Sequence, residues 1–282
     1  MNMKISEMLS IYNRSFPKLQ TDEATFSEHL MLDQGSRVFD YRIGNVLVGY
    51  SVVNADGILL LCVDPAYRKQ GIGSHLLHRS EAYISKSYDL IQLGCSKDTY
   101  LLCGVPMDDD CDSHEFFQRR GYTECWISCD MIVDLRTYDR RPELDNNDPH
   151  ITIRQRRNDP EEIRKTIQCA DIIDGWGEYF KNASEVILAE ADGEIIGLVI
   201  VETESLFPVS LKGAGTLACL GVIEAYRKHG VGMRLCQEAL SRLKESGCDM
   251  CHIGYTYLDR WYGKLGAKKY ISYWMGEKRV KS

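Results

Sequence analysis

The sequence predicts a mixed α/β protein made of two similar domains in tandem. Its 282 residues are long for one compact core but suit two domains of about 140 residues each. An internal repeat supports this division, because residues 63–76 and 222–235 are identical at eight of fourteen positions. In both halves the repeat follows an apolar run and precedes a helical pattern, so we expect strands and helices to alternate within each domain.

The segments that flank the repeat also correspond between the halves. Gly44-Asn45 and Asp192-Gly193 each separate two segments of alternating apolar residues, which is typical of a β-hairpin. An apolar strand follows each hairpin and ends at Val63 or Val222. We expect both domains to continue with a glycine loop, an amphipathic helix, a strand, a short helix and a final strand.

A polar segment between the halves sets the expected domain boundaries. Residues 139–150 contain two prolines and no periodic apolar pattern, so they are interpreted as a linker. The N-terminal domain is then expected at residues 1–138 and the C-terminal domain at residues 151–282.

Composition and charge narrow the classes of function. A net charge of −7 disfavours nucleic acid and anionic membrane surfaces as partners. The chain has no apolar run of the roughly 20 residues that span a bilayer, and its start does not resemble a signal peptide. The 11 cysteines fall mostly in apolar stretches, which indicates buried thiols in a cytoplasmic protein. We interpret the run Asp108-Asp109-Asp110 as a solvated loop and predict no metal site; the oligomeric state stays open.

Each repeat carries Arg-x-x-Gly-x-Gly between a strand and a helix. Glycines there let backbone N–H groups approach an anion, and the first turn of the helix adds unpaired donors at the positive end of its dipole. Because the pattern occurs twice, we favour phosphate binding over a simple tight turn. The sequence lacks the phosphate loop of nucleotide hydrolases and the third glycine of a dinucleotide fingerprint. The candidate residues are Arg68, Lys69, Gln70, Gly71, Ile72, Gly73 and Ser74 in the first half, and Arg227, Lys228, His229, Gly230, Val231, Gly232 and Met233 in the second.

This strand, loop and helix resemble the coenzyme A-binding motif of the GCN5-related N-acetyltransferase (GNAT) superfamily. The later segment from Trp261 to Ala267 is similar to a family motif ending in Tyr-x-Lys-Leu-Gly-Phe, and the segment from Phe116 to Tyr122 is its first-half counterpart. The resemblance covers both halves, as in tandem members of the mycothiol synthase type. It implies that each domain has a mixed, mostly antiparallel sheet with helices on both faces.

The same resemblance implies the reaction. The donor would be acetyl-coenzyme A, with its pantetheine arm between two parted strands and bonded to backbone near Val63 and Val222. The acceptor would be a primary amine of a small molecule or peptide, which attacks the thioester directly.

A tyrosine that protonates the leaving thiolate lies, in the family, four residues before a glycine. Tyr262 holds this position before Gly266, whereas Phe117 holds it before Gly121 and has no proton to donate. We therefore predict that the C-terminal domain catalyses, and that the N-terminal domain binds coenzyme A without turnover or is structural.

The sequence offers several candidates for the general base and more than one possible function. The general base is Glu202, Glu204 or a water chain, and Cys219 is interpreted as a buried strand residue. Other possible functions are a coenzyme A sensor without turnover, or an acyl or aminoacyl transferase with another donor. An acceptor pocket is expected from Asp171, Asp174, Trp176 and Tyr179 together with Tyr255, Tyr257 and Trp261.

One further motif, Cys248-x-x-Cys251-His252, matches the pattern of covalent haem attachment. A strand is expected here, and a strand would point Cys248 and Cys251 to opposite faces. We interpret the segment as a strand and not as a haem site.

Overall fold

The computed structural model describes residues 4–96, 99–107, 113–145, 148–205, 208 and 211–280, so the run Asp108-Asp109-Asp110 lies outside the described residues. The chain divides into two compact units. Unit 1 comprises Met1–Cys129, Pro208–Ser210 and Ile271–Ser282, and unit 2 comprises Asp130–Phe207 and Leu211–Tyr270. The C-terminal segment therefore belongs to unit 1, while the expected boundaries at residues 138 and 151 remain a prediction about the domains.

Unit 1 is built from helices and strands in the predicted order. Its helices are α1 (Ile5–Ser15), α2 (Glu23–His29), α3 (Ile72–Ile84) and α4 (Ser113–Gln118). Its strands are β1 (Arg37–Ile43), β2 (Val46–Asn54), β3 (Gly57–Val63), β4 (Leu90–Leu93), β5 (Val105–Met107) and most of β6 (Thr123–Asp134).

Unit 2 repeats this plan. Its strands are β7 (Ile151–Gln155), β8 (Glu185–Ala191), β9 (Glu194–Glu202), β10 (Ala214–Val222) and β11 (Met250–Thr256), and the last strand of the chain is β12 (Lys268–Arg279). Its helices are α5 (Pro160–Asp174), α6 (Gly177–Lys181), α7 (Val231–Glu245) and α8 (Asp259–Gly263). None of the helices in the described ranges is both long enough and apolar enough to cross a membrane.

Both sheets are mostly antiparallel, as expected. In unit 1 the strand order is β1-β2-β3-β4-β12, with β5 also paired to β12, and β3–β4 is the parallel pair. In unit 2 the order is β7-β8-β9-β10-β11, and β10–β11 is parallel.

Helices cover both faces of each sheet. In unit 1 the Tyr50 hydroxyl donates to the Met8 carbonyl of α1, while its neighbour Ser51 contacts Ser80 of α3. In unit 2, Leu198 packs in a core with α5 residues, while Gly197 lies against Leu235 of α7. Successive residues of a strand point to opposite faces, so this alternation confirms the predicted architecture.

The expected linker is partly structured within unit 2. Arg140 makes an ion pair of 3.0 Å with Glu238 of α7, and Gln237 donates to the Arg141 carbonyl at 3.1 Å and to Asp145 at 2.7 Å. The first half of this segment is therefore fixed to α7.

The last strand is longer than the sequence pattern indicates. The apolar pattern predicts a last strand over residues 269–274, but β12 continues to Arg279 and its residues 277–279 pair with β4. Trp274 is fully buried in the core cluster that includes Leu76, Ile91 and Phe117 of unit 1. The C-terminal segment thus contributes Trp274 to the core of unit 1.

We expect Trp274→Ala to destabilise unit 1 by about 3–5 kcal/mol, because truncating a fully buried aromatic side chain leaves a cavity. The matched control is Arg279→Ala at an exposed position of the same strand in unit 1, which should change stability by less than about 0.5 kcal/mol. Denaturant unfolding of both variants measures the difference. Equal, small effects would contradict the assignment of β12 to the core of unit 1.

Candidate functional site

The parallel strand pair of each unit is joined over only a short length. β3 pairs with β4 at Gly57↔Gln92 and Ile58↔Leu93. β10 pairs with β11 at three residue pairs, the last of which is Thr216↔His252. Beyond these pairs β3 continues to Val63 and β10 to Val222, and within the described parts of β4 and β11 no further residue pairs with them. Each unit therefore has a cleft between two parted strands.

In unit 1 this cleft opens into a cavity of about 640 Å³, within the range of pockets that hold small ligands and cofactors. Residues 58–63 of β3 form one wall, and Leu93, Gly94 and Gly104 lie opposite. The glycine loop closes one end through Arg68, Lys69, Gly71, Gly73 and Ser74. The cavity thus joins the parted strands to the predicted phosphate loop.

The two glycine loops have the same backbone conformation. Lys69 and Gly71 have φ angles of 61° and 83°, and Lys228 and Gly230 have φ angles of 67° and 80°. A lysine in the left-handed region is strained and persists only where the surrounding structure imposes it. The repeat in sequence is therefore also a repeat in geometry.

The helices that follow these loops begin without a side-chain cap. Gly71 and Gly230 are the N-cap residues of α3 and α7, and neither helix has a side-chain capping bond, whereas Asp159 caps α5 by accepting from the Glu162 N–H. An uncapped helix start leaves amide donors that suit an anion. Ile72, Val231 and Met233 have buried side chains, so only their backbone N–H groups could contact a bound phosphate. Gln70 and His229 are exposed.

The arginine of each glycine loop donates a hydrogen bond to the last carbonyl of the preceding strand. Arg68 Nε donates to the Val63 carbonyl at 3.2 Å, and Arg227 Nε donates to the Val222 carbonyl at 2.9 Å. Both arginines and both lysines are exposed, so their positive charge lies at the mouth of each cleft.

An aromatic pair stands beside the second glycine of each loop. Phe116 and Phe117 meet edge to face with ring centroids 5.0 Å apart, and Trp261 and Tyr262 do the same at 4.8 Å. A Cβ atom on Gly73 would lie 3.4 Å from Phe116, and one on Gly232 would lie 3.6 Å from Trp261. In this matched geometry, Tyr262 has a hydroxyl where Phe117 has none.

The Tyr262 hydroxyl lies in an apolar environment. Burial raises the pKa of Tyr262 well above its usual range, and the nearby thiols of Cys236 and Cys251 raise it further. Burial also raises the pKa of Cys251 to about 12. Burial also disfavours a thiolate, so it raises the pKa of a leaving thiol as it raises that of the tyrosine. Tyr262 can therefore still transfer its proton to the thiolate.

A β-bulge interrupts β10 inside the cleft of unit 2. The register against β9 shifts between Ala218 and Gly221, and Cys219 has a φ of 50°. A Cβ atom on Gly221 would lie 2.7 Å from Ile173 of α5, so only glycine fits beneath that helix. A bulge bends the strand and changes the direction in which its side chains point. Sequence reasoning missed it, although Gly221 within an apolar strand was an available signal.

Several candidate residues of unit 2 now have definite surroundings. Burial, with Asp174 nearby, raises the pKa of Cys219 to about 11, so its thiol stays protonated near neutral pH and is a poor nucleophile. Asp171 accepts from the Gly177 N–H at 2.8 Å, which is a structural contact. Glu202 accepts from the Ser184 N–H at 2.8 Å, and Glu204 is exposed.

The expected acceptor pocket is only partly assembled. A Cβ atom on Gly221 would lie 3.3 Å from Trp176, which therefore lies beside the cleft. Tyr179, Tyr255 and Tyr257 are exposed on the surface. Within the described ranges, no group of three His, Cys, Asp or Glu side chains is placed to hold a metal ion.

A parted parallel strand pair followed by an uncapped glycine loop is the arrangement that the resemblance to the GNAT superfamily implies. Two models of the acetyltransferase (GNAT) family match this chain, one at residues 34–124 and one at residues 150–266, which together cover well over half of it. The chain therefore belongs to the GNAT superfamily, as a tandem-domain N-acyltransferase. No protein of curated function matches it in sequence.

Solved structures share the whole architecture. A fungal multidomain GH3 β-N-acetylglucosaminidase with a GCN5-related glucosamine N-acetyltransferase region matches with a TM-score of 0.80 and 21% identity, over 97% of this chain and 36% of that one. This chain thus spans about a third of that fungal protein. A GNAT protein from Sphaerobacter thermophilus matches with a TM-score of 0.72 and 15% identity, over 98% and 92% of the two chains.

A tandem GNAT protein from the clavulanic acid biosynthesis pathway matches with a TM-score of 0.68 and 13% identity, over 99% and 95% of the two chains. At these identities the likeness establishes the fold alone.

We expect Gly71→Ala and Gly230→Ala each to lower the free energy of unfolding by about 1 kcal/mol, because alanine is strained at a positive φ. No atom lies within 4 Å of a Cβ placed on Gly71, so the loss there would come from the backbone and not from a clash. Gly263→Ala in α8 is the matched control: its Cβ also meets nothing within 4 Å and its φ is not positive. Denaturant unfolding should show no loss for the control; equal losses in all three variants would contradict the argument.

Proposed function

We propose that this chain is an N-acetyltransferase that moves the acetyl group of acetyl-coenzyme A to a primary amine of a small molecule or peptide, with catalysis in unit 2. The observation that carries the proposal is the matched pair of sites. Both units combine parted strands, an uncapped glycine helix and an edge-to-face aromatic pair, but Tyr262 adds a hydroxyl in unit 2.

The proposed chemistry is direct transfer. The amine nitrogen attacks the thioester carbonyl carbon, the C–N bond forms, the nitrogen gives one proton to a general base, and the C–S bond breaks. Tyr262 gives its proton to the departing sulfur and is then reprotonated from solvent. The amides at the start of α7, beside Arg227 and Lys228, hold the pyrophosphate, and the backbone near Val222 holds the pantetheine arm.

For unit 1 we propose coenzyme A binding without transfer. Its cavity of about 640 Å³ reaches from the parted strands to the loop at Gly71 and Gly73. Arg120 adds a positive charge there, since it donates to the Ser74 hydroxyl at 2.7 Å and lies over the Phe116 ring. Phe117 lines the same cavity but has no proton to give to a leaving group.

The acceptor class is proposed as a primary amine. Asp174 and Glu202 bring negative charge to the α5 face of the unit 2 sheet, which favours an ammonium group. The fungal structure with the same architecture contains a glucosamine N-acetyltransferase region. An acceptor panel should therefore include glucosamine beside diamines and lysine-containing peptides.

We expect Tyr262→Phe to lower kcat by about 100-fold or more, because the leaving thiolate loses its proton donor, with little change in acetyl-coenzyme A affinity. Tyr83→Phe, at an exposed position of α3, is the matched control and should leave turnover unchanged. The assay is chromatographic detection of released coenzyme A, since Cys125 is exposed and would interfere with thiol reagents. Unchanged turnover of Tyr262→Phe would refute the assignment.

We expect Gly73→Ala and Gly232→Ala each to abolish one binding event for acetyl-coenzyme A in calorimetry. The added methyl group meets Phe116 or Trp261 at ordinary contact distance, so the fold is retained while an anion loses its close approach to the backbone. Turnover should be lost in Gly232→Ala and kept in Gly73→Ala.

The opposite pattern of turnover would assign catalysis to unit 1. Binding without acetyl transfer to any amine of the panel would favour the alternative of a coenzyme A sensor. Transfer from another acyl donor alone would favour an acyltransferase of different donor specificity.

A further inference from the structure

A row of polar side chains crosses unit 2 where β10 and β11 separate. Glu202 of β9 pairs with Thr216 of β10, and Thr216 pairs with His252 of β11. Directly paired residues of neighbouring strands point to the same face, so these three side chains lie side by side. Thr216 and His252 are almost fully buried. The row therefore lies inside unit 2, at the closed end of the cleft.

The row points to the face of the sheet that α5 and α6 cover. Ala218, two residues beyond Thr216, packs against core residues of these helices. Because strand residues alternate between faces, Thr216 and His252 share that face and Cys251 points to the other one. Tyr262 is close enough to Cys251 for the thiol to affect its pKa. His252 and Tyr262 thus approach the cleft from opposite faces of the sheet.

Asp130 and Gly254 both lie against the His252 ring. Asp130 is buried, its Oδ2 lies 3.7 Å from His252 Nε2, and its Oδ1 accepts from the Tyr255 N–H at 2.9 Å. A Cβ atom on Gly254 would lie 2.7 Å from His252 Cε1, so the ring occupies the space that a side chain would need. In general-base catalysis a buried carboxylate beside an imidazole stabilises the imidazolium that forms when the ring takes a proton.

We propose that His252 is the general base for the acceptor amine, and that Asp130 is a positioning residue that acts through it. This inference rests on the proposed acetyl transfer in unit 2. As the amine nitrogen bonds to the carbonyl carbon, His252 takes a proton from that nitrogen. The C–S bond breaks, and the sulfur takes its proton from Tyr262. The products are the amide and coenzyme A thiol; His252 then loses its proton to solvent and Tyr262 regains one.

The charged and titratable groups on this face are few among the described residues. Asp130 comes from β6, Glu202 from β9, Cys169 and Asp174 come from α5, and Cys219 lies in the bulge. The three carboxylates attract an ammonium substrate. Glu202 is the competing base, although its Oε1 already accepts from the Ser184 N–H.

The test compares His252→Gln with Tyr262→Phe and with the control His150→Gln, a substitution at an exposed histidine of unit 2. Coenzyme A release is measured with the most reactive amine of the panel across a range of pH. We expect His252→Gln to lower kcat by about 100-fold or more, to keep the Kd for acetyl-coenzyme A, and to abolish the acidic limb of the kcat/KM profile. In His252→Ala, added imidazole should restore part of the rate.

Asp130→Asn keeps the shape and an oxygen that accepts from the Tyr255 N–H, so it tests positioning without removing the residue. We expect a lower kcat, an unchanged KM for acetyl-coenzyme A and a shifted acidic limb. Thermal unfolding checks that each variant folds. If the His252 variants do not fold, the pH dependence of kcat/KM in Asp130→Asn is the deciding measurement. A pH profile identical to that of the wild type would overturn the proposal.

Other outcomes separate this inference from the proposed function. Full activity in His252→Gln with loss in Tyr262→Phe would overturn the role of His252 and leave acetyl transfer in unit 2 intact. Loss of the acidic limb in Glu202→Gln, with the limb kept in His252→Gln, would make the carboxylate the base. A wild-type chain that transfers acetyl to no amine would overturn both.

Discussion

The separation of one parallel strand pair in each unit governs the other features of the structure. β3 leaves β4 after Ile58, and β10 leaves β11 after Thr216. Strand backbone that is not paired inside a sheet needs another hydrogen-bonding partner. A ligand with amide groups along an extended arm can supply that partner, as a peptide does in strand addition. The glycine loop lies where the parted strand ends, so one feature of the sheet fixes both ends of the site.

The two units share the scaffold of this site and differ in the residues to which we assign its chemistry. The positive φ angles of the loops agree to within a few degrees, and the arginine of each loop donates to the carbonyl at the end of its strand. These contacts serve binding and folding alike. The groups to which we assign the chemistry differ between the units: Tyr262 of unit 2 holds the position that Phe117 holds in unit 1, and the buried His252–Asp130 pair lies in unit 2.

Much of this architecture was accessible from the sequence because local signals carry it. Gly44-Asn45 and Asp192-Gly193 fixed the hairpins through turn chemistry, and the repeated Arg-x-x-Gly-x-Gly fixed the loops. Features that depend on pairing were missed. The alternation of β12 predicts a strand but carries no information on the sheet it joins, so its place in unit 1 beside β4 was not predicted.

The bulge at Cys219 and the contact of Asp130 with His252 likewise depend on residues distant in sequence. The strand that was expected over Cys248-x-x-Cys251-His252 begins only at Met250, so Cys248 lies before β11. For His252 a partial signal existed, because neighbouring residues of a strand point to opposite faces and His252 follows Cys251.

The claim that both units hold acetyl-coenzyme A and that only unit 2 transfers the acetyl group is tested most directly by isotope trapping. The chain is equilibrated with radiolabelled acetyl-coenzyme A, and the number of molecules bound per chain is measured by dialysis. It is then mixed with a large excess of unlabelled donor and the most reactive amine. We expect two labelled molecules bound and at most one labelled acetyl group trapped in product per chain. Two trapped acetyl groups per chain would contradict the account.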